Sequence, residues 1–191
     1  MLTRTHASNV KPLAPADRKP LMLDGAALDA ARRNPPAADP PSAEDAQWRD
    51  ALIALLNDAL ATELVCMLRY KRHHFTARGL ESLKIGEEFL AHARKEAVHA
   101  DRLAQRIVQL GGAPDFAPDT LSRRSHAAYD ESRELRAMIE ANLVAERIAV
   151  ESYSQSIALV GARDPSTRRL LEDILADEQE HAEELRGWLA D

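Results

Sequence analysis

A chain of 191 residues, 45% hydrophobic and 29% charged, has the length and composition for one domain with a full apolar core. Its single cysteine excludes a disulfide framework and any cysteine-based zinc or iron–sulfur site, and a net charge of −6 does not favour a large nucleic-acid surface. No run of about 18 apolar residues is present and the N-terminus lacks the apolar stretch of a secretory signal, so a cytoplasmic protein without a membrane span is expected.

Seven of the ten prolines fall within residues 12–41, which cannot hold a long helix. DGAALDAARR fits one short helix inside that region. Residues 1–33 carry six basic and three acidic side chains, a local charge of +3. Residues 1–43 therefore read as a flexible, Pro-rich N-terminal extension, and residues 44–191 as the folded domain.

Four long helices follow. The first is expected from the N-cap Ser42, with Glu44 and Asp45 in its first turn, to about Ala77, with Gly79 beyond it. The second runs from about Leu80 to Leu110 and stops at Gly111-Gly112. The third runs from about Asp130 to Val160 and stops at Gly161. The fourth follows Asp164 as N-cap, with Pro165 in the first turn, and ends near Leu189. Scarce glycine and aromatic residues fit this all-α reading. The links within helices one–two and three–four are short, so each pair should form an antiparallel hairpin. GGAPDFAPDTLSRRSHAAY, between helices two and three, is long enough to cross a four-helix bundle from end to end.

Two Glu-x-x-His pairs occur: Glu96/His99 in KEAVHADRL and Glu178/His181 in DEQEHAEEL. Sixteen Glu and seven His in 191 residues give about 0.6 such pairs by chance, so spacing alone says little. Position says more. Residues seven apart share the core-facing stripe of a bundle helix. Glu63 lies between Leu56 and Tyr70, Glu96 between Phe89 and Leu103, Glu146 between Ile139 and Tyr153, and Glu178 between Leu171 and Leu185. One glutamate thus interrupts the apolar stripe near the middle of every helix. A carboxylate in a core is costly unless neutralised, and no Lys or Arg occupies those stripe positions. Two divalent cations would balance four carboxylates. His99 and His181, one turn along, would each add an imidazole nitrogen. Six ligands result: Glu63, Glu96, His99, Glu146, Glu178 and His181. Oxygen-rich donors with one imidazole per metal suit two iron ions, with manganese or zinc as other occupants. The competing reading is that these charges line a solvated helix face.

With these motifs the chain resembles the ferritin-like di-iron superfamily, and within it the bacterioferritins, over roughly residues 45–190. ELVCMLRY, KEAVHADRL, LVAERIAVESY and DEQEHAEEL follow the order Glu, Glu-x-x-His, Glu, Glu-x-x-His, and AVHADRLAQRIVQLGGAP is close in wording to the second helix of bacterioferritins. The resemblance implies a ferritin-like four-helix bundle in which Glu96 and Glu178 bridge two metals. Glu63 and His99 then cap one metal, and Glu146 and His181 the other. It also implies a catalytic part for Tyr70, by hydrogen bonding to a bridging carboxylate or by giving up an electron, with Tyr153 a weaker candidate. Bacterioferritins bind haem through a Met where this chain has Ala97, so no haem is expected. The residues after His181 are too few for the fifth helix of a bacterioferritin shell, which puts a 24-subunit cage in doubt and leaves a homo-oligomer, dimer or smaller cage, as the expectation.

Among the other residues, His92 is read as a surface or supporting residue that could line an iron route, and His73 and His74 as solvent-facing. Cys66, Trp48, Trp188, Leu64 and Met67 read as packing. The function implied is Fe(II) oxidation with oxygen or peroxide, in iron storage or detoxification. The alternatives are a di-metal oxidase, oxygenase or manganese catalase-type enzyme, or a starvation-type DNA-protecting protein. In the last group the metal site usually lies between subunits, and DNA contact here would rest on the N-terminal tail.

Overall fold

The computed structural model describes residues 22–33, 42–79 and 82–190. Among these there are six helices and no strand: α1 (Gly25–Arg33), α2 (Ala43–Thr76), α3 (Ser82–Gln109), α4 (Leu121–Arg124), α5 (Leu135–Val160) and α6 (Pro165–Ala190). The described residues 22–33 belong to one unit of the chain, and 42–79 and 82–190 to another. In the first, the Asp24 carboxylate accepts from Ala26 N at 2.9 Å and Ala27 N at 3.1 Å, capping α1, the short helix expected from DGAALDAARR. The reading of residues 1–21 and 34–41 as part of a flexible extension lies outside the described residues.

The second unit is the bundle. Its helices begin where side chains can satisfy the free amides of a first turn. Ser42 Oγ accepts from Asp45 N at 3.1 Å at the start of α2. Asp164 Oδ1 accepts from Ser166 N and Thr167 N at 3.1 and 3.0 Å at the start of α6. Gly111, at φ +83°, takes the left-handed turn that ends α3, and a Cβ on Gly112 would lie 2.8 Å from Ile53 Cγ2. The third long helix starts at Leu135, not near Asp130 as expected. Asp130 Oδ1 accepts from Ser132 N at 2.9 Å, and Glu134 is extended at φ −82°, ψ 133°, so this stretch forms a turn before the helix.

α2 packs along α3 and α5 along α6, the two hairpins of the expected ferritin-like four-helix bundle. The crossover between them is tied to α2 in order along its length. Asn57 Nδ2 donates to Ala113 O at 3.3 Å, His126 N donates to Thr62 Oγ1 at 3.0 Å, Arg69 Nη1 donates to Ala128 O at 3.0 Å, and Arg72 Nη1 donates to Ser132 O at 3.3 Å. From Asn57 to Arg72 is roughly 22 Å of helix, so the chain re-enters the bundle at the other end. A stretch of 18 residues within α2 has a mean hydropathy of 1.8 and so meets the length and composition of a membrane span. Half of that stretch is buried inside the bundle, as in any core helix.

All eight residues that flank the four glutamates at seven-residue spacing are buried: Leu56, Tyr70, Phe89, Leu103, Ile139, Tyr153, Leu171 and Leu185. The core divides into one cluster around Leu56, Leu60, Leu103 and Ile174 and another around Tyr70, Phe89, Met138 and Leu185. Cys66 packs with Ala127 and Ala145, Leu64 and Trp48 pack on the first cluster, and Met67 and Trp188 on the second.

Candidate metal centre

Between the two apolar clusters lies a polar layer. Glu63, Glu96, Glu146 and Glu178 are each 1% exposed, His99 is 0% and His181 is 6%. A solvated helix face does not have such burial, so that competing reading fails. One Glu comes from each of α2, α3, α5 and α6, because the stripe that carries each into the core meets the other three there.

The six side chains form two overlapping groups. In one, His99 Nδ1 lies 3.4 Å from Glu63 Oε2, 3.3 Å from Glu96 Oε2 and 2.9 Å from Glu178 Oε1. In the other, His181 Nδ1 lies 3.4 Å from Glu96 Oε1, 3.9 Å from Glu146 Oε2 and 3.7 Å from Glu178 Oε2. Within each group one donor atom per residue lies within 4.8 Å of the others, close enough to converge on one ion. Glu96 and Glu178 belong to both groups and use different oxygens in each.

Six atoms of this cluster are buried without a hydrogen-bond partner: both Glu96 oxygens, His99 Nδ1, Glu146 Oε2, Glu178 Oε1 and His181 Nδ1. Buried polar atoms are ordinarily paired, and leaving one unpaired costs about 1–3 kcal/mol. Six in one layer make a place for cations. The donor set of carboxylates and one imidazole per group is the one expected for iron or manganese.

Electrostatics divide the four carboxyls into two kinds. Burial, then repulsion from Glu178 and Glu96, pushes Glu63 and Glu146 well above the usual carboxyl range. Burial also opposes ionisation of Glu96 and Glu178, but the close approach of the His181 and His99 imidazoles outweighs it and holds both below that range. Burial would lower the two imidazoles, yet the surrounding carboxylates dominate. They raise His181 to about 10 and His99 far above an ordinary histidine. The shifts thus favour the proton on the two imidazoles and on Glu63 and Glu146, and the charge on Glu96 and Glu178.

Supporting groups hold the layer in place. Tyr70 Oη donates to Glu146 Oε1 at 2.5 Å, and Tyr153 Oη donates to Glu63 Oε1. The resemblance gave Tyr70 a bridging carboxylate as partner, but Glu146 belongs to one group only. The two tyrosines are equivalent: each holds one unshared glutamate. His99 Nε2 lies 3.0 Å from Asp177 Oδ2, and Lys95 Nζ lies 3.0 Å from Asp177 Oδ1. Asp177 thereby accepts the Nε2 proton and leaves Nδ1 facing the carboxylates. Burial raises the Asp177 carboxyl, but His99 and Lys95 outweigh that and keep it below its ordinary range. His92 is buried, not at the surface. Its ring stacks on His181 at 4.1 Å, its Nδ1 lies 3.1 Å from Tyr70 Oη, and its Nε2 lies 2.8 Å from Glu184 Oε2. Burial and the neighbouring His181 lower its pKa.

A second buried polar group went unread in the sequence. His73 is 0% exposed, against the expectation of a solvent-facing residue, with Nδ1 3.0 Å from Asn142 Nδ2 and Nε2 3.3 Å from Asp130 Oδ1. His74 is half-buried, its Nδ1 2.7 Å from Gly86 O across the α2–α3 hairpin. Arg69, fully buried beside Tyr70, donates from Nε to Asn142 Oδ1 at 2.8 Å. No spacing rule could have found Asp177, Asn142 or Asp130 as partners, because each belongs to a distant element.

The profile of the ferritin-like domain family matches residues 53–191. A nutrient stress-induced DNA-binding protein of Synechococcus sp. is 34% identical over 138 residues, 71% of this chain and 78% of its own. A bacterioferritin of Mycobacterium leprae is 27% identical over 140 residues, 73% of this chain and 84% of its own. Among solved structures, a dodecameric thioferritin, the bacterioferritin-related protein of Bacteroides fragilis, superposes with a TM-score of 0.72 at 28% identity, covering 75% of this chain and 86% of the other.

Proposed function

The chain belongs to the ferritin-like domain family, and on that premise we propose that the buried layer binds two metal ions and oxidises Fe(II), in iron storage or detoxification. The observation that carries this reading is the set of six unpartnered buried donor atoms, arranged as two groups that share two carboxylates. Glu63, Glu96, His99 and Glu178 hold one ion, and Glu96, Glu146, Glu178 and His181 the other. Two divalent cations then replace the protons that neutralise the layer. When bound, the metals supply redox capacity and a template for oxygen or peroxide.

The protein's own part is positioning and exclusion of water. Asp177 fixes the tautomer of His99, which presents Nδ1 to its ion. Tyr70 holds Glu146 and Tyr153 holds Glu63, so neither carboxylate swings away from the layer. The apolar clusters above and below keep the site dry.

Fe(II)-dependent oxygen consumption, followed with an oxygen electrode, tests the proposal. The folded Glu96→Gln/Glu178→Gln variant should lose the protein-dependent rate; an unchanged rate rejects it. Storage additionally needs a hollow homo-oligomer, which the dodecameric relative supports. Light scattering that shows a monomer or simple dimer removes storage and leaves oxidation.

The 34% identity to a protein named for DNA binding favours a second reading, protection of DNA. Against the arrangement in which subunits share the metal site, all six donors here come from one chain. Retention of duplex DNA by the full chain, and its loss when residues 1–33 are removed, is the outcome that reading requires.

A further inference from the structure

At the end of the bundle where α2 stops and α5 begins, Arg72, Thr76, Arg78, Arg133 and Glu134 line a surface depression of about 560 Å3. That volume is in the range of small-ligand clefts. Among the described residues three arginines and one glutamate line it, on a chain whose net charge is −6. Arg72 is anchored: its Nη1 donates to Ser132 O at 3.3 Å, and its Nε lies 3.9 Å from Glu131 Oε1. Arg78 and Arg133 are exposed and have no ion-pair partner among the described residues.

The helix dipole accounts for part of this charge. Arg72 and Arg78 flank the C-terminal end of α2, where cations are favoured. Arg133 stands just before the first turn of α5, where a cation is disfavoured. That helix also lacks a side-chain cap, as Glu134 makes no capping hydrogen bond. Glu131 and Glu134 offset part of this charge, and Arg78 and Arg133 remain as the exposed cations able to take a further anion beside the uncapped helix N-terminus. Guanidinium forks match tetrahedral oxyanions, and phosphate above all.

We propose that this depression is a phosphate-binding site, in which Arg72, Arg78 and Arg133 take a phosphate group, either free or carried on a nucleic-acid backbone. Arg72, held by Ser132 and Glu131, supplies a fixed positive charge, and Arg78 and Arg133 supply the free guanidinium forks. None of its lining residues is one of the six metal ligands.

The full chain is titrated with inorganic phosphate by calorimetry, and with a short fluorescent duplex by anisotropy, both at low salt. The Arg78→Gln/Arg133→Gln variant changes two exposed side chains and should keep its melting temperature. Its phosphate affinity should fall by roughly tenfold or more. Arg94→Gln/Arg123→Gln removes the same charge elsewhere and should leave the affinity unchanged. If the duplex also binds, is displaced by phosphate and is lost in the first variant, the backbone is a source. If phosphate binds and the duplex does not, the free anion is. No phosphate binding, or equal losses in the two double variants, overturns the proposal. So does an Arg78→Gln/Arg133→Gln variant that binds phosphate as the wild type does.

Discussion

Two groups that share Glu96 and Glu178 make a sharp demand on single substitutions. Glu63 serves only the group of His99, so Glu63→Ala should leave the group of His181 able to bind one ion. Glu96 serves both, so Glu96→Ala should disable both. Manganese(II) under anaerobic conditions reads binding without oxidation. An ion at about 100 times its dissociation constant adds about 2.7 kcal/mol to folding stability, and two add about 5.4 kcal/mol. In a domain of this size each kcal/mol raises the melting temperature by about 2–4 °C. The wild type should therefore melt about 10–20 °C higher with metal, Glu63→Ala about half as much, and Glu96→Ala with almost no shift. The shift is the quantity to compare. Glu63→Ala also strands the buried Tyr153 hydroxyl, which lowers the metal-free melting point independently. Calorimetry should count two, one and no ions in the same order. If Glu63→Ala abolishes both sites, or Glu96→Ala keeps one intact, the sharing deduced from the geometry is wrong.

Three further outcomes follow from the same contacts. Asp177→Ala frees the Nε2 of His99, so affinity at that position should fall about 10- to 100-fold while the other ion binds as before; equal loss at both would mean that Asp177 does not act through His99. The shifts favour protons on both imidazoles and on Glu63 and Glu146, so loading metal ions should release protons to a weakly buffered medium, with affinity rising as pH rises; no release contradicts this reading. Burial opposes ionisation of Asp164, but hydrogen bonds from Thr167 and Arg106 bring its carboxyl below the ordinary value. Its stabilisation is thus complete above that ordinary value and is lost as pH falls through the lower, folded one. Asp164→Ala should cost about 2 kcal/mol at neutral pH in denaturant unfolding, and less in acid; a pH-independent cost would argue against the cap.

The glutamates were legible because burial on a long helix repeats with the heptad. Leu56 and Tyr70 around Glu63, or Phe89 and Leu103 around Glu96, disclose the inward face without reference to any other helix. What crosses between elements was not legible. The sequence could not place Asp177 against His99, since nothing in either helix encodes the rotation that brings them together. Nor could it place Asn142 and Asp130 around His73, which turned a histidine expected in water into a buried one. Arg69 followed the same pattern. It adjoins the stripe without occupying it, and its guanidinium is accommodated because the crossover supplies Ala128 O and α5 supplies Asn142. The start of α5 was misplaced for a local reason: Asp130 turns its side chain onto Ser132 N in place of starting a helix.

If one chain holds two ions side by side through two shared carboxylates, iron should occupy both groups at once. Anomalous diffraction at the iron edge, from crystals loaded anaerobically with Fe(II), locates each ion. Two peaks are expected inside each bundle, one among Glu63, Glu96, His99 and Glu178 and one among Glu96, Glu146, Glu178 and His181. A single peak, or iron bound only elsewhere on the chain, would contradict that sharing.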